Sequence, residues 1–137
     1  MRLTILAAFI CALAIAPLKA SAEEPADSIQ AVIESQLQAF QASDVETAFT
    51  FAAPGIQQIF QNPQNFGRMV QNHYPMVWRP RHHEMRQFIQ TDSGPVQVVL
   101  FQDAAGHLHE AGYLMELIDG QWRIAGVKLR RLPSVGT

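Results

Sequence analysis

Two periods of hydrophobicity divide the chain. Up to about Tyr74 apolar side chains recur at helical spacing, and from Met76 onward they alternate with polar ones, the period of a half-buried strand. Ile29, Val32, Ile33, Leu37 and Phe40 share one face of a helix predicted from Asp27 to about Ala42, with Gln30, Glu34, Gln38 and Gln41 on the solvent side. Asp27 with Gln30, and Ser43 with Glu46, have the spacing of capping boxes. The second box predicts a short helix through Val45, Ala48, Phe49 and Ala52 that stops at Pro54-Gly55. A further turn carries Ile56, Ile59 and Phe60. Asn62-Pro63, a cap followed by a first-turn proline, then starts a helix that turns Phe66, Met69 and Val70 inward and ends at Tyr74-Pro75.

In the alternating half, turn signals at Thr91-Asp92-Ser93-Gly94, Asp103-Ala104-Ala105-Gly106 and Asp119-Gly120 mark off four strands in an antiparallel meander. The two-residue Asp-Gly turn registers the last hairpin: Ile118 with Gln121, Leu117 with Trp122, Glu116 with Arg123, Met115 with Ile124, Tyr113 with Gly126. Glu110 and Glu116 mark an outer face, so His107, His109, Ala111, Tyr113, Met115 and Leu117 are expected to point toward the helices. Carried across a four-residue turn, that inner face takes in Val96, Val98 and Leu100, then His83, Met85, Gln87 and Ile89. Val99, Phe101, Leu108, Leu114, Ala125, Val127 and Leu129 are left facing outward. That patch is too apolar for a monomer to expose and predicts a homodimer formed through the sheet. The fold class is therefore α+β, with N-terminal helices packed on a curved four-stranded antiparallel sheet.

The N-terminus adds a compartment. After Arg2 the chain runs apolar from Leu3 to Leu18 and reaches Ala20-Ser21-Ala22, the small-residue pattern that signal peptidases cut after. The run is shorter than the roughly 20 residues of a membrane span and contains Pro17, so residues 1–22 read as a cleavable signal. Residues 23–137 then form one periplasmic or secreted domain with no membrane insertion after the signal is removed. Cys11 is the only cysteine and leaves with the signal, which excludes a disulfide, a thiol nucleophile and a thiolate metal site in the mature chain. Of ten basic residues Arg2 and Lys19 leave as well, so eight stand against twelve acidic ones, a net charge of -4 that argues against nucleic acid as a partner.

Short helices on a bent antiparallel sheet that closes with "DGQWRI" resemble the nuclear transport factor 2-like superfamily of cone-shaped domains. More narrowly, "AFQASDVETAFTFAAPGIQQIF", "FGRMVQNHYP" and "GYLMELIDGQWRIAGVKL" are similar to the successive motifs of a bacterial family, domain of unknown function 4864, from about Ile29 to Leu132. The resemblance implies a cavity between helices and sheet. It implies no activity, because cone-shaped domains include isomerases, dehydratases and pure binding modules.

Candidate chemistry is sparse. His83, Gln87, His109, Tyr113, Phe40 and Tyr74 are the residues expected to line the pocket, an apolar floor with a polar rim. A carboxylate base is not among them, since Asp27, Asp44 and Glu46 belong to caps, Asp92, Asp103 and Asp119 to turns, Glu84, Glu110 and Glu116 to the outer face, and Glu34 to the solvent side of the first helix. Five histidines raise a metal site, yet His82 and His83 point to opposite faces and the first and third strands are a whole strand apart, roughly 10 Å. No serine stands in a nucleophile elbow, and no glycine-rich phosphate loop occurs. No metal and no cofactor is therefore assigned. The reading favoured is a non-catalytic binding or interaction module for a small apolar ligand. The alternatives are a lyase or isomerase acting on a small hydrophobic carbonyl compound through His83, His109 and Tyr113, and a structural subunit of an envelope complex.

Overall fold

A computed structural model describes residues 25–134; the signal region 1–22 lies outside the described residues. Among the described residues five helices come first: α1 Pro25–Gln41, α2 Val45–Thr50, α3 Pro54–Phe60, α4 Pro63–His73 and α5 Pro75–Trp78. Four strands follow, β1 His82–Thr91, β2 Gly94–Gln102, β3 Leu108–Ile118 and β4 Gln121–Arg131, in the order β1-β2-β3-β4 with every pair antiparallel. This is the α+β meander expected.

The helical boundaries differ in detail. Asp27 lies inside the first turn of α1 rather than capping it. Asp44, not Ser43, caps α2 by accepting from the Thr47 N–H at 3.1 Å, while Ser43 takes a left-handed φ of 57°. Asn62 caps α4 as expected, and the proline after it occupies the first turn. Tyr74-Pro75 does not end the helical half, because Pro75 opens α5, and the strands begin at His82 rather than Met76.

The sheet's faces depart further from expectation, for three reasons. The β2–β3 turn holds five residues, because Gln102 pairs with Leu108. The Asp103 carboxylate fills it, accepting from the N–H groups of Ala105 and His107 at 3.0 and 2.9 Å. That one extra residue flips β2, since strand side chains alternate. Gln97, Val99 and Phe101 face the helices and are fully buried, and Val96, Val98 and Leu100 are on the outer face. Next, β1 carries a bulge between Met85 and Phe88, so His83 and Met85 are inward as expected but Phe88 takes the place assigned to Gln87 and Ile89. Last, β4 bulges at Ala125. Tyr113 pairs with Val127 rather than Gly126, and Val127 and Leu129 swing inward against the core. The first four pairs of that hairpin stand as expected.

Buried Gln97 pins the β1 bulge. Its Nε2 donates to the carbonyls of Arg86 and Val98 at 2.9 Å, and its Oε1 accepts from Gln30 of α1 at 3.1 Å. At the other side of the sheet, residues 51–53 lie along β4: Ile124 N–H donates to Phe51 and Ala53 N–H to Ile124, both at 2.8 Å. Arg79 ties α5 to the end of α1, donating to the Phe40 carbonyl and, at 2.9 Å, to Ser43 Oγ with its guanidinium over Trp78. These three clasps tie the helices to the sheet and to one another, and a space lies between the helices and the sheet.

Candidate functional site

That space is a cavity of about 450 Å³ between the helices and the inner face of β3 and β4. Phe40 comes from α1, Ile56 and Phe60 from α3, and Phe66, Met69 and Val70 from α4. These fall at helical spacing on the inward stripes of their helices, which is why the sequence delivers them to one place. The floor is Tyr113, Ile124 and Val127, the last brought there by the β4 bulge. Phe66 sits at the centre of an aromatic cluster, with ring centroids 5.5 to 5.9 Å from Phe49, Phe60 and Phe40. The polar residues of the lining are Gln36, His73, Tyr74 and Tyr113, the last fully buried, and the lining holds no carboxylate and no Lys or Arg.

Of the six residues expected to line the pocket, Phe40, Tyr74 and Tyr113 do. His83 does not. It faces α1, where its Nε2 meets both oxygens of Glu34 at 2.9 and 3.0 Å, so Glu34 is a helix-to-sheet clasp rather than a solvent-side residue. His109 is buried but lies beneath the β2–β3 turn with Nε2 2.8 Å from Asp103 Oδ2. Gln87 is exposed on the β1 bulge. The two imidazoles and Tyr113 therefore do not converge in the cavity. His107 also approaches Asp103, at 3.5 Å, and no group of three His, Cys, Asp or Glu side chains among the described residues could hold a metal ion.

Three groups have shifted acidities, one of them Asp44 at the α2 cap, whose hydrogen bonds with Thr47 hold its carboxyl below the ordinary value. The His109 imidazole, aided by the N–H groups of the turn and opposed by partial desolvation, lowers the Asp103 carboxyl to about 2. Burial, and secondarily the charge of Glu34, raises the Tyr113 phenol well above its ordinary value, so it stays protonated. Its hydroxyl is the one buried side-chain N or O atom among the described residues that lacks a hydrogen-bond partner. Such an omission costs about 1 to 3 kcal/mol.

Sequence reasoning missed Gln36, His73, Val77, Ile124 and Val127 in the lining. Gln36 was recoverable, because it is three residues beyond Ile33 and four before Phe40, inside the buried stripe of α1. Its Nε2 donates to the Ala48 carbonyl at 3.1 Å. Val127 depends on a bulge that no local pattern announces.

The model of one protein family, described as "Domain of unknown function (DUF4864)", matches residues 22–137. No curated protein matches the chain. No helix among the described residues is long and apolar enough to cross a membrane.

Proposed function

The chain belongs to the DUF4864 family, whose description names no activity, and from the cavity we propose that it is a non-catalytic binding module for a small apolar ligand. The carrying observation is a space of about 450 Å³ walled largely by Phe, Met, Ile and Val side chains with no Asp, Glu, Lys or Arg in its lining. Ligand sites of this size and character are the usual places where apolar molecules are held. Burying about 200 Å² of a ligand's apolar surface there is worth about 5 kcal/mol before the cost of immobilising it. Catalysis by His83 or His109 is disfavoured, because each imidazole is engaged by a carboxylate away from the cavity.

The same reading places the module in the periplasm or outside the cell, on the strength of the apolar run Leu3 to Leu18 and Ala20-Ser21-Ala22. It takes the fold as a nuclear transport factor 2-like cone, supported by helices packed on a meander that two bulges bend. It also pairs the chain with its own copy. With Val99, Phe101, Val127 and Leu129 turned inward, the outer face still carries Ile89 and Leu108, both over 40% exposed, beside half-buried Val96, Leu100 and Leu114. Sedimentation equilibrium decides that pairing: a wild type that is a monomer at micromolar concentration, or a Leu114→Glu variant no weaker as a dimer, removes it.

For the cavity, the test is titration with the fluorescent apolar probe N-phenyl-1-naphthylamine, together with native mass spectrometry of protein from its own envelope. Saturable binding that Met69→Trp abolishes without unfolding the domain is expected, since the indole would fill space that the flexible thioether leaves open. Probe binding unchanged by that substitution sinks the proposal.

A further inference from the structure

The Tyr113 hydroxyl is out of keeping with the rest of the interior. Buried polar atoms are nearly always paired, and the neighbouring amides of Gln36 and Gln97 have their partners. Only the phenol, whose residue forms part of the cavity wall, has none among the described residues. Held protonated, it is a donor to any acceptor that reaches it. An anion is a poor acceptor here: no Lys or Arg lines the cavity, and the Glu34 carboxylate acts on the phenol from beyond the wall.

On the reading that this cavity binds a small apolar molecule, on which the step rests, we infer that the ligand is uncharged and carries a carbonyl or hydroxyl oxygen that accepts a hydrogen bond from Tyr113. In the empty cavity Tyr113 is enclosed, so the oxygen reaches it as neighbouring side chains give way, unbranched Met69 being the adaptable part of the wall. The unpaired hydroxyl is a cost that the empty protein already carries. A ligand oxygen recovers it and a hydrocarbon does not, so the site discriminates between molecules of equal size.

The probes are decan-2-one, decane and decanoate, equal in chain length, titrated by displacement of N-phenyl-1-naphthylamine from wild type and Tyr113→Phe, with thermal melts of both unliganded proteins. Wild type is expected to bind the ketone about tenfold more tightly than the alkane, the worth of one well-made hydrogen bond, and decanoate least. Tyr113→Phe should erase the ketone's advantage, leave decane unchanged and melt no lower than wild type. Equal affinity for ketone and alkane in wild type, or a preference for decanoate, overturns this inference and leaves the cavity reading standing. Failure of all three probes overturns both. A Tyr113→Phe protein that melts lower and keeps the ketone's advantage shows that the fold itself uses the hydroxyl, through a water bridging toward Glu34, and overturns the inference as well.

Discussion

Replacing Gly67 with alanine sets a helix gain against a collision. Gly67 is buried in α4 where that helix crosses α2, and a methyl group there would overlap Cγ1 of Val45 and stand 2.9 Å from its Cβ. In an unobstructed helix the exchange would stabilise by about 0.5 to 1 kcal/mol. Overpacking costs about 1 to 3 kcal/mol, and this site belongs in the upper part of that range. Val45 is β-branched and stiff at χ1, and its Cβ is fixed by the backbone of α2, so rotation cannot clear it. A net loss of about 1 to 2 kcal/mol follows. Urea unfolding of Gly67→Ala, Val45→Ala and the double variant measures it. Removing the valine methyls relieves the larger overlap, so the double variant should lose about 1 kcal/mol less than the two single losses combined. Gly55→Ala is the control, since it lies in α3 with nothing within 4 Å of a methyl there, and it should be no less stable than wild type and up to about 1 kcal/mol more stable. Because α4 carries Phe66, Met69 and Val70 into the cavity, Gly67→Ala should also weaken probe binding. A Gly67→Ala protein as stable as wild type, or strict additivity with Val45→Ala, would refute the close approach of α2 and α4.

Two further predictions concern the β2–β3 turn and the Gln97 clasp. Asp103 titrates at about 2 when folded against 3.8 ordinarily, so its contribution is fully present above pH 4 and disappears as pH falls from about 4 through 2. Asp103→Asn should therefore lose less stability than wild type between pH 5 and pH 3 in urea melts; parallel losses would mean that His109 does not hold the carboxylate. Gln97→Leu leaves the Arg86 and Val98 carbonyls without their donor and should cost about 1 to 3 kcal/mol per group, with faster amide exchange along β1. A loss under about 0.5 kcal/mol, with exchange unchanged, would mean the bulge holds without it.

What the chain's own pattern determined is the list of elements and the side of each helix that is buried. Ile29, Ile33, Leu37 and Phe40, like Phe66 and Val70, are placed by a 3.6-residue period that needs no knowledge of neighbours. The turn residues located all three hairpins, and Asp119-Gly120 set the first four pairs of the last one. The faces of β1, β2 and the far half of β4 were decided elsewhere. A strand's period is two, so a single residue added at Asp103–His107, at Arg86-Gln87 or at Ala125 reverses every side chain beyond it. Each of those residues is retained by a tertiary partner: the Asp103 carboxylate bonded to His109, Gln97 reaching between β1 and α1, and residues 51–53 docked on Ile124. The last two are hydrogen bonds between segments far apart in the chain, of which a local window of sequence holds only one side. The Asp103 turn, by contrast, is closed by near neighbours whose geometry the turn residues alone do not specify. The candidate site divides the same way. Its helical wall was legible, whereas Val127 in its floor, and the removal of His83 and His109 to carboxylates outside it, followed only from how the sheet was bent.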